Sequence, residues 1–113
     1  MQIVIPFLDH MRQASINGEK TCTSRTKVYG NVGDRFVLDC SAGNPREQAM
    51  FEIVKIEQLR LSDVADNLYQ AEGCHSHDEF TGMWRCLHPR VGFRPYQHVF
   101  VHHYKQISLI HNY

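Results

Sequence analysis

Apolar residues recur at two spacings along the chain, and the spacing separates strands from helices. A period of two places Phe36, Leu38 and Cys40 on one side of residues 35–40, which is typical of a strand with one buried face. Residues 49–58 are apolar on both faces in places and predict a central strand. Further strands are predicted over residues 3–7, 21–26 and 97–107.

Two segments follow the helical period and carry end signals. Residues 8–18 begin near Asp9, which suits the N-cap, and end at Gly18, which suits the C-terminal cap. Residues 61–73 place Ser62 at the N-cap, ahead of an apolar face. Both segments are therefore predicted to be helices.

The clearest helical pattern lies at residues 76–87. Ser76 and Glu79 have the spacing of a capping box. Pro89 prevents the helix from continuing, because proline has no amide hydrogen to donate. A stripe at positions i, i+3, i+4 and i+7 is expected to face the core, and it consists of Phe80, Met83, Trp84 and Leu87.

The order of these elements predicts an α+β fold. The strands are joined mostly by turns, such as residues 29–34, and by a loop at residues 41–47, so they are expected to form an antiparallel or mixed sheet. A chain this short closes most simply into a small β-barrel with two or three helices packed outside. Without a linker or a repeat, residues 1–113 are expected to form a single domain.

The composition limits the kind of partner. The 113 residues are 42% apolar, which suffices for one core, and 12 basic residues balance 12 acidic ones. A long nucleic-acid surface normally needs a basic excess. The zero net charge therefore favours a small ligand over long RNA.

The four cysteines and the N-terminus indicate the compartment. No pair of cysteines has Cys-x-x-Cys spacing, and the first residues lack the basic start and long apolar region of a signal peptide. No apolar run approaches the ~18 residues that a membrane helix needs. The sequence predicts a cytoplasmic protein with free thiols and no membrane partner.

The segment INGEKTCTSR, residues 16–25, concentrates groups that exchange protons. A lysine with a lowered pKa can take the proton of a threonine hydroxyl, which then attacks an acyl carbon; Lys20 and Thr23 have these side chains. They face opposite sides of a regular strand, so Lys20 is expected in the turn before the strand or at a bulge. Arg25 shares the face of Thr23 and is suited to binding a carboxylate, a phosphate or a base edge.

Two glutamates near the predicted helices differ in their expected tasks. Glu79 is the partner of Ser76 in the capping box, whereas Glu72 lies in a loop and has no structural task. A loop carboxylate at the mouth of a barrel is suited to donating a proton to a leaving nitrogen.

Two other clusters compete for a function. The first is a cysteine–histidine cluster whose spacing fits none of the common structural zinc patterns, so no metal is expected; it contains Cys74, His75, His77, Cys86 and His88. The second is a basic and aromatic run that is predicted to border a cleft, where it would stack a base and contact phosphate; it contains Arg90, Phe93, Arg94 and Tyr96.

Taken in order, several short segments resemble an ASCH domain of the PUA-like barrel superfamily. They cover most of the chain, from about residue 7 to residue 107, and read INGEKTCTSR, VGDRF, FEIVKIEQL, AEGCHSHDEFTGMW and HVFVHHYKQI. The most specific element is G-x-K-x-x-T-x-R, formed by Gly18, Lys20, Thr23 and Arg25. The order and spacing of the segments carry the resemblance.

This resemblance implies a β-barrel with a cleft between barrel and helices. One small, single-domain branch of the family hydrolyses the acetyl amide of N4-acetylcytidine with a lysine, a threonine and a glutamate. These map onto Lys20 as the base, Thr23 as the nucleophile and Glu72 as the proton donor, although the loop after Glu72 (GCHSH) differs in length and character. Other ASCH proteins resemble RNA-binding modules or nucleases, so an RNA partner is the alternative.

Two hypotheses follow. In the first, the protein is an amidohydrolase that releases cytidine and acetate without a cofactor, and Arg25, Arg90, Phe93, Arg94 and Tyr96 contact the nucleoside. In the second, the same basic and aromatic residues bind or cleave RNA. The acyl group, the nucleobase, the oligomeric state and metal binding by the cysteine–histidine cluster are left open by the sequence.

Overall fold

The computed structural model describes residues 1–39 and 47–111. Its helices and strands form an α+β arrangement, as the sequence predicts. In chain order the elements are α1 (Asp9–Ile16), β1 (Cys22–Arg25), β2 (Arg35–Asp39), β3 (Glu47–Arg60), α2 (Leu61–Asn67), α3 (His77–Leu87) and β4 (His98–His111).

The strands form one antiparallel sheet in the order β1-β4-β3-β2. The long strands β3 and β4 pair along nearly their whole length. Their register shifts between Met50 and Phe51 and again between Ile53 and Lys55. Such irregularities bend a strand and increase its twist, and the sheet curls into half a barrel. The antiparallel pairing and the curl of the sheet confirm the predicted fold class, a PUA-like barrel of antiparallel strands.

An aromatic cluster lies on one face of the sheet. Phe36 of β2 stacks on Phe51 of β3, with 5.5 Å between ring centroids, and Tyr104 of β4 meets both rings edge-on at 5.3 and 5.4 Å. The Tyr104 hydroxyl lies 2.7 Å from Ser15 Oγ, and burial raises the pKa of Tyr104. This hydrogen bond fixes α1 against the sheet.

The strand predicted over residues 3–7 is wrong. The segment makes only an isolated parallel bridge between Gln2 and Arg35, where Ile3 N donates to Arg35 O at 2.8 Å. Pro6 has no amide hydrogen, so the apolar run cannot continue as a ladder.

Two predicted helix starts are also wrong. The N-cap of α1 is Leu8, and Asp9 lies inside the helix with its carboxylate 3.0 Å from Arg12 Nη1. The N-cap of α2 is Arg60, and Ser62 lies inside. The first amides of α2 need no capping side chain, because they donate to carbonyl oxygens of the segment before β4. Leu61 N donates to Gln97 O at 2.8 Å, and Ser62 N donates to Pro95 O at 2.9 Å.

The other local signals agree with the structure. Ser76 caps α3, and its Oγ accepts from Glu79 N at 3.0 Å. Gly18 follows α1 with a φ of 81°, a conformation that suits glycine. Phe80 and Trp84 are buried, whereas Leu87 at the far end of the stripe is 48% exposed.

The remaining boundaries shift. β1 is shorter than predicted, β3 and β4 are longer, and α2 ends at Asn67 instead of residue 73. Cys40 and residues 41–46 of the predicted loop over 41–47 lie outside the described residues, and Glu47 belongs to β3. In the described part of the chain no helix is both long and apolar enough to cross a membrane.

His102 of β4 links the sheet to the segment after β1. It is fully buried, and its Nε2 accepts from Tyr29 N at 2.9 Å. Its Nδ1 faces two carbonyl oxygens, Phe100 O at 3.1 Å and Thr23 O at 3.3 Å. Carbonyl oxygens only accept, so Nδ1 carries the hydrogen and the ring is neutral. Burial lowers the pKa of His102.

Because its pKa is lowered, His102 makes the protein sensitive to acid. Its stabilising effect is complete above the ordinary histidine pKa of 6.5 and is lost as the pH falls from there through the folded-state pKa. We expect the free energy of unfolding to fall by up to about 1.4 kcal/mol per pH unit in that range. In His102→Gln, whose amide oxygen can still accept from Tyr29 N, urea denaturation should show a shallower pH dependence. Equal pH dependence in both proteins would contradict this role.

Candidate functional site

A cavity of about 390 Å³ opens between the N-terminal segment, β1 and α3. This volume lies in the range of small-molecule sites. Its polar wall consists of Lys20, Thr23, Ser24, Arg25, Thr26 and Glu72. Its apolar and aromatic wall includes Phe7, Met11, Tyr29, Phe80, Trp84 and His88.

Lys20 and Glu72 form a buried ion pair in the polar wall. Each residue is only 3% exposed. Lys20 Nζ lies 3.2 Å from Glu72 Oε1 and donates to the backbone oxygen of Glu72 at 2.9 Å. Lys20 precedes β1, which matches its expected position before the strand. Two residues 52 positions apart in the sequence are therefore joined at one point.

The backbone brings this pair together. After α2 the chain turns back and runs beside the start of β1, where Thr21 N and Cys22 N both donate to Ala71 O, at 2.8 and 3.1 Å. Lys20 and Glu72 form an isolated antiparallel bridge there. Gly73 has a φ of 89°, and a Cβ at this position would lie 3.2 Å from Lys20 Cβ. A glycine thus allows the two segments to approach closely.

The second carboxylate oxygen of Glu72 accepts from β1. Ser24 Oγ donates to Glu72 Oε2 at 2.6 Å, and Cys22 Sγ lies 3.7 Å from the same atom. Burial, with the nearby Glu72 carboxylate, raises the pKa of Cys22. An extended backbone directs every second side chain to the same side, and this side of the strand carries Lys20, Cys22 and Ser24. A carboxyl group that only accepts hydrogen bonds matches an ionised carboxylate.

Thr23 and Arg25 project from the other side of β1. Arg25 Nε donates to Thr23 Oγ1 at 3.0 Å. The guanidinium carbon lies 5.1 Å from the ring centroid of Phe7 and 5.6 Å from that of Tyr29, so the cation is held between two aromatic rings. Burial lowers the pKa of Arg25, although a guanidinium stays charged at neutral pH. Within residues 1–39 and 48–109, no carboxylate forms an ion pair with it.

The aromatic wall was missed as a site by sequence reasoning. Trp84 stacks on His88 with 4.2 Å between ring centroids, and His88 Nδ1 lies 3.1 Å from Trp84 O. Trp84 Nε1 is buried and has no hydrogen-bond partner in the described structure. A helical stripe that faces a core and one that faces a cavity have the same period, so the pattern alone could not separate them.

The basic and aromatic run lies away from this cavity. Arg90, Phe93, Arg94 and Tyr96 are absent from its lining. Phe93 is half-buried beside Arg85, whose guanidinium carbon lies 6.0 Å from the ring centroid, and Tyr96 is 77% exposed. The predicted substrate contacts of these four residues remain predictions, and the structure does not bring them to the cavity.

The cysteine–histidine cluster is dispersed. Burial raises the pKa of Cys74 to about 11, whereas Cys86 is exposed. His77 lies between two carboxylates, 3.2 Å from both Asp66 Oδ1 and Asp78 Oδ1, and His75 is exposed. Among the residues with described positions, no group of three or more histidine, cysteine or acidic side chains is arranged to hold a metal.

Comparison with solved structures identifies the fold. The chain is similar to protein EF3133 from Enterococcus faecalis V583, of the DUF984 family, with 18% identity, a TM-score of 0.65, and coverage of 88% of this chain and 68% of that one. It is also similar to an ASCH domain from Lactobacillus crispatus JV V101, with 15% identity, a TM-score of 0.63, and coverage of 93% and 77%.

The fold is therefore ASCH-like, as the sequence resemblance implies. No protein-family model matches the sequence, and no curated protein matches it significantly. At these identities structural similarity establishes the fold alone, so the activity has to be argued from the cavity.

The buried ion pair predicts a strong dependence of stability on both partners. Lys20→Met leaves the Glu72 carboxylate buried without its cation, and we expect the free energy of unfolding to fall by about 3–5 kcal/mol. The double variant Lys20→Met/Glu72→Met should recover most of this loss, because it removes both charges. Urea denaturation at neutral pH measures both effects.

Lys105→Met is a matched control. Lys105 lies on the surface, 4.0 Å from Glu52, and its loss should cost less than about 1 kcal/mol. A double variant no more stable than Lys20→Met would show that the loss comes from packing instead of an unpaired charge.

Proposed function

We propose that the protein is an amidohydrolase that removes the acyl group from a nucleoside such as N4-acetylcytidine and releases cytidine and acetate. The observation that supports this most is the composition of one cavity wall. A buried lysine–glutamate pair, three serine and threonine hydroxyl groups and an arginine converge on a space of nucleoside size.

Amide hydrolysis needs three chemical groups: a nucleophile, a base that takes its proton, and an acid that protonates the leaving nitrogen. The family resemblance assigns these roles to Thr23, Lys20 and Glu72, all of which line the cavity. A proton that passes from Lys20 Nζ to Glu72 Oε1, 3.2 Å away, converts the ion pair into the neutral amine and the carboxylic acid that these two roles need.

The remaining wall suits a nucleobase. Tyr29, Trp84 and His88 offer aromatic surfaces against which a base can stack. Arg25 offers guanidinium hydrogens to a carbonyl oxygen of the base or of the acyl group. RNA binding is the alternative function; the zero net charge and the limited volume of the cavity favour a single nucleoside.

The first test is direct turnover. Purified protein incubated with N4-acetylcytidine should release cytidine, measured by chromatography. Glu72→Gln should lower kcat by at least about 100-fold with little change in KM, because proton transfer is lost while the shape is kept. Glu79→Gln, an exposed residue of α3, should keep wild-type kcat.

Absence of turnover by the wild-type protein would remove this proposal. RNA affinity that falls steeply with salt, measured in the same preparation, would then favour the alternative.

Arg25 provides a test of substrate binding. Arg25→Met removes a charged hydrogen-bond donor, and we expect KM to rise by about 10-fold or more. Arg85→Met, which lies outside the cavity lining, should leave KM unchanged. Equal KM values for wild type and Arg25→Met would exclude Arg25 from substrate binding.

A further inference from the structure

Ser24 carries one of three serine and threonine hydroxyls in the cavity wall, and neither the family motif nor the proposed roles include it. It is 8% exposed and lines the cavity. Its Oγ donates to Glu72 Oε2 at 2.6 Å, which is short for a hydrogen bond and typical of a hydroxyl on a carboxylate. The hydrogen of this hydroxyl already points at a base.

Thr23 lacks such a base. Its Oγ1 accepts a hydrogen bond from Arg25 Nε, and no described hydrogen bond joins it to Lys20 or Glu72. A guanidinium that donates to a hydroxyl oxygen occupies one of its lone pairs and takes no proton from it. Thr23 is thus held as a partner of Arg25, on the side of β1 that binds the aromatic rings.

The polar groups around Glu72 have the arrangement of an activated nucleophile. Ser24 is hydrogen-bonded to the carboxylate, and the carboxylate is oriented by Lys20 through its other oxygen, at 3.2 Å. A nucleophile beside a base that a third group orients is the general pattern of covalent catalysis. The spacing of Lys20 and Ser24 places both on the same side of the extended chain.

We propose that Ser24 supplies the attacking hydroxyl, with Glu72 as the base and Lys20 as the residue that positions Glu72. This inference rests on the proposed hydrolysis; it reassigns the nucleophile from Thr23 to Ser24 and the base from Lys20 to Glu72. Thr23 then acts by holding Arg25.

The chemical step balances with these groups. Glu72 Oε2 takes the Ser24 proton while Oγ forms a bond to the acyl carbon. The bond from that carbon to the substrate nitrogen breaks, its electron pair stays on the nitrogen, and Glu72 returns the proton to the nitrogen, so the free amine leaves. Water then gives a proton to Glu72 and attacks the acyl–serine ester. Ser24 leaves as its hydroxyl with that proton, and the acid is released.

Cys22 is a matched control for Ser24. Its sulfur contacts the same carboxylate oxygen, at 3.7 Å, but it is fully buried and absent from the cavity lining. If Glu72 merely needs hydrogen bonds to hold its position, the loss of either side chain should have a similar effect. If Ser24 attacks the substrate, only the Ser24 variant should lose activity.

The test combines turnover with mapping of the acylated residue. Two substrates are used: N4-acetylcytidine and the activated ester p-nitrophenyl acetate. Each is given to wild type, Ser24→Ala, Thr23→Val and Cys22→Ala. Mass spectrometry then locates any trapped acetyl group. Trypsin releases residues 21–25 as one peptide, and its fragmentation separates residue 23 from residue 24. We expect the acetyl group on Ser24, and a kcat for Ser24→Ala that is at least about 100-fold lower.

Thr23→Val and Cys22→Ala should keep the adduct on Ser24. An acetyl group on Thr23, or a Ser24→Ala variant with wild-type kcat, would overturn the inference while the hydrolase proposal stands. An adduct on Ser24 without turnover of N4-acetylcytidine would support Ser24 and remove the proposed substrate. If the wild-type protein shows neither turnover nor an adduct, the hydrolase proposal and the Ser24 inference are both overturned.

Folding is checked by thermal unfolding of each variant. If Ser24→Ala does not fold, Ser24→Cys provides the decision, because a thiol at this position keeps a nucleophile of similar size. An acetyl thioester at position 24 would support the inference, and an adduct elsewhere would contradict it.

Discussion

The buried contact between Lys20 and Glu72 is the interaction on which the site depends. Two charges removed from water cost several kcal/mol each unless hydrogen bonds replace the lost solvent. Here Lys20 Nζ donates to a carboxylate and a carbonyl oxygen of Glu72, while Ser24 donates to the second carboxylate oxygen. The pair therefore defines the distance between β1 and the segment after α2, and this distance shapes one wall of the cavity.

The rest of the fold holds this contact in place. β1 is a short strand, bound on one edge by β4 and on the other by the carbonyl of Ala71. The packed rings of Phe36, Phe51 and Tyr104 connect β2, β3 and β4, and the Tyr104 hydroxyl connects them to α1. The contacts on both sides of this four-residue strand limit its movement and so help to hold the directions of its side chains.

Several local signals in the sequence predicted the structure, although Asp9 is not the N-cap of α1. Three signals that depend on residues a few positions apart agree with the structure. They are the Ser76 cap, the alternation of buried residues in β2 and the glycine after α1. Signals that depend on distant partners failed: Ser62 is not a cap, because carbonyls some 35 positions away take its role. The meeting of Lys20 with Glu72 was expected only from the family resemblance, since no periodicity relates residues so far apart.

The choice of nucleophile shows how the same alternation carries chemical information. A period of two separates Lys20 from Thr23, which is the geometric difficulty with a direct partnership between them. The same period joins Lys20 to Ser24, and both contact Glu72. β1 thus presents a proton-transfer face around Glu72 and a binding face around Arg25 at the same cavity. Because adjacent residues of an edge strand can both reach one cavity, a sequence motif that identifies the strand does not by itself identify which hydroxyl reacts.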